Sequence, residues 1–287
     1  MRKLIFPIIF IIGLGIFLYP IISNMFATTA HQSVIKAYNE KIDQLDEETI
    51  EKEKEKLEKH NEKLAESDLN FVDPFAESKP DDNTETSSGL TSYYDALNID
   101  PAIGSIKIPK IDVAIPIYHG TSEDVLSRGA GHLENSSLPS SELGTHSVIT
   151  AHRGLPSSKL FRDLNKVQIG DMFFTEVLGE TIAYEIDSID IVLPNETDWI
   201  QMEADKNKMT LLTCEPYMIN SHRMLVTGHQ VPYNPKEKVE PEPKSYIIYY
   251  IIGALVLLTL IIYLIRRKKK RVDALWKKNQ PSSLFLF

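Results

Sequence analysis

Apolar and polar residues alternate in short runs between residues 93 and 233, a pattern that is typical of β-strands. Residues such as Pro109 and Gly120 separate these runs, and Leu178-Gly179-Glu180 has the composition of a hairpin tip. Strands are predicted at residues 103–108, 113–118, 146–151, 172–177, 181–186, 189–193, 209–213 and 223–231, and short helices at 123–126 and 157–164. Eight or so short strands with two small helices predict a mainly β protein with a closed or nearly closed barrel.

Two long uncharged segments lie near the ends of the chain. Residues 4–22 follow two basic residues, and residues 246–265 precede the basic run 266–271. Each segment is about long enough to cross the hydrocarbon core of a bilayer, which is roughly 30 Å thick. We therefore predict two membrane-spanning helices.

The basic residues beside these helices also predict their orientation. Because basic flanks tend to stay in the cytoplasm, we expect both termini inside the cell and residues from about 24 to 244 outside the cell membrane. A cleaved signal peptide is the alternative at the N-terminus. Its cleavage motif around Ala27 and Ala30 is imperfect, so we expect a retained anchor.

The segment between the first apolar run and the predicted barrel is mostly polar. Residues 40–68 are almost wholly charged, with Ile50, Leu57 and Leu64 spaced by seven, so we expect a helical arm. A solvated helix is favoured over a self-assembling coiled coil, because three apolar positions are few for a heptad repeat. A small apolar cluster at 71–75 interrupts the polar sequence and is expected to cover another surface.

These features divide the chain into six segments. The prolines among alternating charges after the barrel cannot pack a core, so they are assigned to an extended spacer. The predicted segments are an N-terminal membrane anchor at 1–23, a helical arm and loop at 24–92, a β-barrel at 93–233, the spacer at 234–245, a transmembrane helix at 246–265 and a basic cytoplasmic tail at 266–287.

The charge distribution excludes one class of partner. The chain has a formal net charge of −9 at pH 7, and its two ends hold ten of the 31 Lys and Arg residues but one of the 40 Asp and Glu residues. The segment between the ends is therefore strongly acidic. Because nucleic-acid binding depends on neutralising phosphates with basic side chains, we expect no nucleic-acid partner.

Cys214 is the sole cysteine of the chain, so an internal disulfide is excluded. It follows an apolar strand, where a rigid backbone presents a nucleophile, although a small buried hydrophobe is an equally common role for a free cysteine. Arg223 opens the next apolar strand, and two antiparallel strands joined by a loop of about eight residues would bring both side chains together. An Arg there is costly unless its guanidinium meets a partner or a functional cavity, which favours catalysis.

A cysteine nucleophile also needs a base or an imidazolium partner, and eight histidines compete for that role. His152 is the best candidate because it directly follows a predicted strand and precedes the turn Arg153-Gly154. His132 is second and His222 is third. The candidates in the arm, near the membrane or at strand edges are His31, His60, His119 and His229. The residues alone rank these histidines without settling the choice.

Three segments resemble the His, Cys and Arg motifs of sortases. They are Thr150-Ala151-His152-Arg153-Gly154, Thr210-Leu211-Leu212-Thr213-Cys214 and His222-Arg223-Met224-Leu225-Val226. Segments 129–133 and 216–223, together with the two apolar ends, resemble the class C branch, which polymerises pilins in Gram-positive bacteria. Asp73-Pro74-Phe75 resembles the active-site lid of that branch. Ala151 stands where the branch often has Gly, which is expected to change loop freedom more than chemistry.

The resemblance implies an eight-stranded sortase barrel and a cysteine transpeptidase that cuts LPXTG-like sorting signals between Thr and Gly. It implies Cys214 as the nucleophile, His152 as the general acid and base, and Arg223 as the stabiliser of the oxyanion and substrate. In class C relatives a pilin lysine takes the thioester, so pilin subunits are the expected partners. Asp73 is expected to pair with Arg223 while Phe75 covers the thiol.

The sequence leaves other acceptors and other functions open. The acceptor is alternatively the amine of a peptidoglycan precursor, or water in a hydrolytic, membrane-anchored thiol protease. Outside enzymes, the alternative is a membrane-tethered adhesin or scaffold in which Cys214 is inert. The acidic pairs Asp81-Asp82 and Glu123-Asp124 lack a ligand framework, so we expect neither a metal nor a cofactor.

Overall fold

The computed structural model describes residues 2–66, 73–75 and 89–235, together with separate helical positions between residues 252 and 272. It divides into two units, Met1–Glu242 and Pro243–Phe287. The first unit contains the strands described below. The spacer and the second membrane span predicted by the sequence lie mostly outside the described residues, and so do Phe71 and Val72 of the apolar cluster.

Eight strands close a β-barrel in the order β1-β2-β3-β4-β7-β8-β6-β5. Their bounds are β1 Ala102–Ile108, β2 Val113–His119, β3 Ala130–His132, β4 Thr145–Thr150, β5 Met172–Val177, β6 Glu180–Val192, β7 Asn207–Glu215 and β8 His222–Val231. The predicted mainly β, eight-stranded barrel is therefore confirmed. Pairing of β1 with β5 closes the sheet, so its backbone groups are not left at an open edge.

Strand direction defines the two ends of the barrel. The pairs β2–β3 and β4–β7 are parallel, and the other neighbouring pairs are antiparallel. The carboxyl ends of β4, β6 and β7 and the start of β8 therefore lie at one end, which we call the Cys214 end. The turn at Leu178 and Gly179, between β5 and β6, lies at the opposite end, which we call the hairpin end. Both turn residues have positive φ, 50° and 78°, as a two-residue hairpin turn requires, so the predicted hairpin tip is confirmed.

Inward-facing apolar side chains form the core of the barrel. The rings of Phe173 and Tyr184 stack with their centroids 5.1 Å apart, and both side chains are fully buried. Ile106 and Leu211 are fully buried in the same cluster. Burial of each large apolar side chain contributes roughly 1.5–3 kcal/mol relative to exposure, so the core holds the strand ends in fixed positions.

Four α-helices accompany the barrel within the described part of the first unit. They are α1 Arg2–Ile42, α2 Glu47–Ala65, α3 Gly89–Asp95 and α4 Glu123–Arg128. α2 begins at a capped end, because the Asp46 carboxylate accepts a hydrogen bond from Thr49 N at 2.8 Å. Among the described residues, α1 is the one helix long and apolar enough to cross a membrane, and a signal sequence would meet the same test.

The helical arm packs against the barrel. Tyr38 of α1 is buried, and its hydroxyl donates to Ile103 O at 3.1 Å and accepts from Leu178 N at 3.0 Å. Leu57 of α2 is buried in the main core cluster. The predicted helix in the arm is therefore observed, but its interpretation as a solvated helix is wrong, because its apolar stripe covers the barrel surface.

The predicted helix at 157–164 is also wrong. This segment forms turns that end in a 3-10 turn at Leu164–Lys166. Phe161 N donates to His152 O at 3.2 Å, and Leu160 has a positive φ of 36°, so the local helical hydrogen bonds do not form. A tertiary contact with the end of β4 replaces them.

The observed strands β6 and β3 differ from the strands predicted by the sequence. Segments 181–186 and 189–193 belong to the single strand β6, which has a register irregularity between Ile186 and Ser188. Such an irregularity interrupts the alternation of buried and exposed residues, and the sequence pattern therefore breaks there. The three-residue strand β3 was not predicted, because it is too short to show an alternating pattern.

Candidate active site

The parallel strands β4 and β7 end side by side at the Cys214 end. The Ala151 N–H donates to Leu212 O at 3.2 Å, and the Thr213 hydroxyl donates to Ala151 O at 2.7 Å. His152 directly follows Ala151, and Cys214 directly follows Thr213. Because these hydrogen bonds align the two segments up to Ala151 and Thr213, the histidine and the cysteine lie at the same edge of the sheet.

Cys214 and Arg223 face each other across the antiparallel pair β7–β8. The short loop 216–221 joins their strands. The prediction that this loop brings the thiol and the guanidinium together is confirmed. The same end of the barrel thus presents a thiol, an imidazole and a guanidinium on three neighbouring strands.

Asp73 forms a buried ion pair with Arg223. Arg223 Nε donates to Asp73 Oδ1 at 2.8 Å, and Nη2 donates to Oδ2. Nη1 donates to the carbonyl oxygens of Asn220 and His222, at 2.9 Å in each case. All three guanidinium nitrogens are therefore engaged, and a single carboxylate holds two of them.

Phe75 covers the same end of the barrel. Its ring lies 5.6 Å from the His152 ring, centroid to centroid, and Arg223 Cζ lies 5.4 Å from its centroid. It also packs against a small apolar cluster beside the main core. The buried members of that cluster are Leu133, Val148, Leu212 and Leu225. Phe75 therefore bridges an apolar surface and two polar residues of the candidate active site.

The Cys214 thiol is buried, with 3% of its surface exposed. Burial raises the pKa of this thiol to about 11, while Arg223 lowers that pKa, Asp73 raises it and Arg153 lowers it. The thiolate is the nucleophilic form of cysteine. In this conformation the side chain is therefore held as an unreactive thiol at neutral pH.

His152 contacts a carboxylate on α4. Its Nε2 lies 3.3 Å from Glu123 Oε1 and 3.2 Å from Oε2. The Glu123 side chain is otherwise exposed. From the sequence, Glu123-Asp124 was considered only as a candidate metal site, and this contact was missed because α4 is distant from His152 along the chain.

A second ion pair ties the ends of β4 and β7 together. Arg153, directly after His152, pairs with Glu215, directly after Cys214. The Arg153 side chain is buried, and its Nε donates to Arg162 O at 3.2 Å. This pair was not predicted from the sequence. Opposite charges directly after His152 and Cys214 were the available signal.

The alternative histidines have other surroundings. His132 is completely buried on β3, where its Nδ1 lies 3.1 Å from Tyr93 Oη and its Nε2 lies 2.8 Å from Ser137 O. Burial lowers the pKa of His132 to about 3, so it stays neutral. His222 opens β8, and its Nδ1 lies 2.9 Å from Ser221 Oγ. Within residues 2–66, 73–75 and 89–235, no group of three or more His, Cys, Asp or Glu side chains is arranged to hold a metal ion.

Known proteins match this chain over the barrel and beyond it. Residues 106–231 match the family described as "Sortase domain". The solved structure of sortase C1 of GBS pilus island 1 is 37% identical with a TM-score of 0.65, and the match covers 74% of this chain and 97% of that one. The structure of Streptococcus pneumoniae sortase C is 41% identical with a TM-score of 0.61, covering 70% of this chain and 97% of that one. Sortase D of Bacillus subtilis (strain 168) is 28% identical over 146 residues, which are 50% of this chain and 71% of that protein.

These matches agree with the geometry at the Cys214 end. The family match spans β1 to β8, apart from the first residues of β1, and so includes His152, Cys214 and Arg223. The structural matches extend further and cover nearly the whole of each pilus-related sortase C. The chain therefore belongs to the sortase family of cysteine transpeptidases and, within it, to the class C pilus sortases.

Proposed function

We propose that this chain is a pilin-polymerising transpeptidase that cleaves an LPXTG-like sorting signal and transfers the acyl group to a pilin lysine. The observation that carries the proposal is the pairing of Cys214 with Arg223 across β7–β8, at the edge where His152 leaves β4. A nucleophile, an acid–base group and an oxyanion donor are the three parts that acyl transfer through a thioester requires.

In the first half of the proposed reaction, the Cys214 thiolate attacks the threonine carbonyl of the sorting signal. His152 protonates the departing glycine amine, which breaks the Thr–Gly bond and leaves a thioester on Cys214. Arg223 donates hydrogen bonds to the carbonyl oxygen as it becomes an oxyanion. Loss of one such donor elsewhere costs about 2.7–4 kcal/mol of transition-state stabilisation.

In the second half, the lysine amine of another pilin attacks the thioester. His152, now neutral, accepts the proton of that amine, and the thiolate of Cys214 leaves. The product is an isopeptide bond between two subunits, and repetition builds a covalent pilus. No metal or cofactor takes part in this sequence of steps.

Asp73-Pro74-Phe75 acts in this proposal as a lid. Support comes from Arg223, because Asp73 binds the same Nε and Nη2 atoms that an oxyanion would need. Phe75 lies against His152 and the apolar cluster beside it, so it also blocks the approach of a peptide. Substrate must displace the lid before the thiol becomes reactive.

The membrane arrangement is part of the same proposal. α1 serves as a retained anchor, a second span at 246–265 follows the spacer 234–245, and both termini with the tail 266–287 lie in the cytoplasm. The catalytic barrel at 93–233, with its arm and lid at 24–92, works outside the cell membrane. The apolar composition of α1 supports the first anchor.

The test is the full chain in detergent, mixed with pilin subunits that carry a sorting signal. The wild-type chain is expected to form an acyl-enzyme, seen by intact mass, and isopeptide-linked pilin dimers. Cys214→Ala is expected to form neither, while its unfolding temperature stays close to that of the wild type. If the Cys214→Ala chain still joins pilin subunits, the proposal is wrong.

The same reaction distinguishes the alternative acceptors. Pilin lysine, a short amine that imitates a peptidoglycan precursor, and water are offered together, and the products are separated by mass spectrometry. Predominant isopeptide product is expected. Predominant attachment to the small amine would assign a cell-wall-anchoring enzyme, and predominant acid would assign a hydrolytic protease.

A further inference from the structure

The loop between β7 and β8 carries an exposed apolar tip. Tyr217, Met218 and Ile219 are exposed over 44%, 64% and 72% of their surfaces. The whole loop 216–221 contains no charged residue, in a chain in which 25% of residues are charged. Contiguous exposed apolar side chains on a soluble surface mark a surface that meets another apolar phase or partner.

More apolar surface lies at the same end of the barrel. Ile191, near the carboxyl end of β6, and Leu193, directly after it, are exposed. Ile191 pairs with Met224, next to Arg223, so it belongs to the Cys214 end. The apolar tip is therefore accompanied by further exposed apolar residues around the same opening.

α1 extends from the Cys214 end toward the hairpin end. Ser23 Oγ donates to Ser157 O at 3.0 Å, and Ser157 follows His152 by five residues. At the other end of the helix, Ile42 Cγ2 lies so close to Gly179 that a β-carbon on that glycine would meet it at 3.3 Å. The apolar first half of α1 therefore leaves the barrel at the end that carries the candidate active site.

The length of the apolar first half of α1 indicates where the surface of a bilayer would lie relative to the barrel. The uncharged run 4–22 spans about 28 Å as a helix at 1.5 Å per residue, close to the roughly 30 Å hydrocarbon core. Ser23 would then lie at the boundary of the hydrocarbon core. Ser157 would lie at the same level, because its carbonyl oxygen accepts the hydrogen bond from Ser23. A β-carbon on Gly154, three residues before Ser157, would meet Met218 Cγ at 3.5 Å, so the loop tip is a neighbour of this region.

We propose that Tyr217, Met218 and Ile219 form a membrane-docking surface that enters the headgroup region of the bilayer that holds α1. The headgroup layer extends about 5–8 Å beyond the hydrocarbon core, within reach of a loop that contacts the segment after His152. Tyr is suited to this layer because it combines an apolar ring with a polar hydroxyl. The loop joins Cys214 to Arg223, so bilayer contact orients the opening of the active site toward the membrane surface. This inference rests on the proposed anchor role of α1 and goes beyond the proposed chemistry.

The experiment places one fluorescent label at a time on the full chain. Cys214→Ala removes the native thiol, and a single cysteine is then introduced as Ile219→Cys, Leu143→Cys or Ile9→Cys. Leu143 is the matched control, because it is 64% exposed and precedes β4 at the hairpin end, whereas Ile9 is 61% exposed in α1. Each chain is labelled with NBD and reconstituted in phosphatidylcholine–phosphatidylglycerol vesicles with or without lipid spin-labelled near the headgroup.

We expect severalfold quenching of the label at position 219 by the spin-labelled lipid, and little quenching of the label at position 143. The label at position 9 reports the anchor independently and should also be quenched. Quenching at 9 together with equal, low quenching at 219 and 143 would overturn the docking surface while leaving the anchor in place. A label at 219 that responds to a soluble sorting-signal peptide, but not to the lipid, would assign the loop to peptide binding and also overturn the proposal. The chemistry is tested separately, because these chains lack the nucleophile.

Discussion

Arg223 has two competing partners in the proposed mechanism. In the closed conformation its Nε and Nη2 atoms donate to the Asp73 carboxylate, and in the transition state they would donate to the oxyanion. The carboxylate also raises the pKa of the neighbouring Cys214 thiol. One side chain of the lid therefore suppresses both the nucleophile and the oxyanion donor.

Asp73→Ala is expected to speed alkylation of Cys214 at pH 7.5. Burial and Asp73 raise the pKa of the thiol to about 11, while Arg223 lowers it, so removal of the carboxylate shifts that pKa down. Each unit of decrease gives about ten times more thiolate, and an increase of roughly tenfold or more is expected. The measurement is the rate of iodoacetamide labelling, followed by mass, between pH 6 and 10. As pH increases, the labelling rate of the variant should begin to rise at a lower pH than that of the wild type.

Asp187→Ala is the matched control for this experiment. Asp187 pairs with His229, and both side chains are partly exposed on a different part of the barrel. Its loss should leave the labelling rate of Cys214 unchanged. Equal labelling rates in the wild type, Asp73→Ala and Phe75→Ala would contradict the lid.

The strand pair β4–β7 positions His152 and Cys214 relative to each other. Backbone and hydroxyl hydrogen bonds align the strands up to Ala151 and Thr213, and the ion pair between Arg153 and Glu215 continues this alignment one residue past each candidate catalytic residue. We infer that Arg153 and Glu215 are positioning residues.

Glu215→Gln is expected to lower kcat for peptide transfer by about tenfold while KM changes little, because a buried Arg without its charged partner shifts the ends of both strands. The measurement is steady-state kinetics with a sorting-signal peptide and a free amine. Asp124→Asn removes an exposed ion pair with Arg128 on α4 and should leave kcat unchanged. A Glu215→Gln chain with wild-type kcat would show that the pair does not position the site.

Asn61 of α2 connects this helix to the barrel through two hydrogen bonds with Leu138. Asn61 is buried, and its side chain donates to Leu138 O at 3.1 Å and accepts from Leu138 N at 2.8 Å. Asn61→Ala leaves both backbone groups without these partners, at about 1–3 kcal/mol for each unsatisfied buried group. We expect the free energy of unfolding in urea to fall by about 2–6 kcal/mol in total.

Lys52→Ala is the control on the exposed face of the same helix. Lys52 pairs with Glu48, and both side chains are largely exposed, so the cost should stay below about 1 kcal/mol. Equal stability of the Asn61→Ala and Lys52→Ala chains would mean that α2 does not depend on this contact.

The folded chain buries several histidines, in the barrel and on α2, where the neutral form of the imidazole is favoured. Burial lowers the pKa of His132 to about 3 and that of His146 to about 4, from an ordinary value of 6.5. Burial also lowers the pKa values of His60 and His119. Between about pH 4 and 6.5 the unfolded chain therefore binds more protons than the folded chain, and acid favours unfolding.

We expect the free energy of unfolding to fall as pH decreases from 7 to 5, with a slope that approaches about 1.4 kcal/mol per pH unit below pH 6.5 for each of His132 and His146. The measurement is urea unfolding of the full chain in detergent at pH 7, 6 and 5. His146→Gln should reduce the slope by about that amount below pH 6.5. An unaltered slope in His146→Gln would contradict the assignment.

The sequence was informative where the physical signal is local. Short apolar or alternating runs predicted most strands, because strands such as β5 bury the side chains of one face and strands such as β4 bury those of both faces. The short loop after Cys214 predicted its pairing with Arg223, because two antiparallel strands joined by so few residues must lie side by side. The motifs around His152, Cys214 and Arg223 also indicated the family, whereas their catalytic roles remain proposals.

Other features depend on contacts between distant parts of the chain. The turns at 157–164 depend on the bond of Phe161 to His152 O, and no local pattern reveals that bond. The contact between Glu123 and His152 joins a helix and a strand end far apart in sequence. Residues 40–68 alone indicated a helix, but whether its apolar stripe meets solvent, a second helix or the barrel is decided by packing, because burial is a property of the assembled chain. Local composition thus specified most strands and the position of the single thiol, and the folded chain determined which side chains surround them.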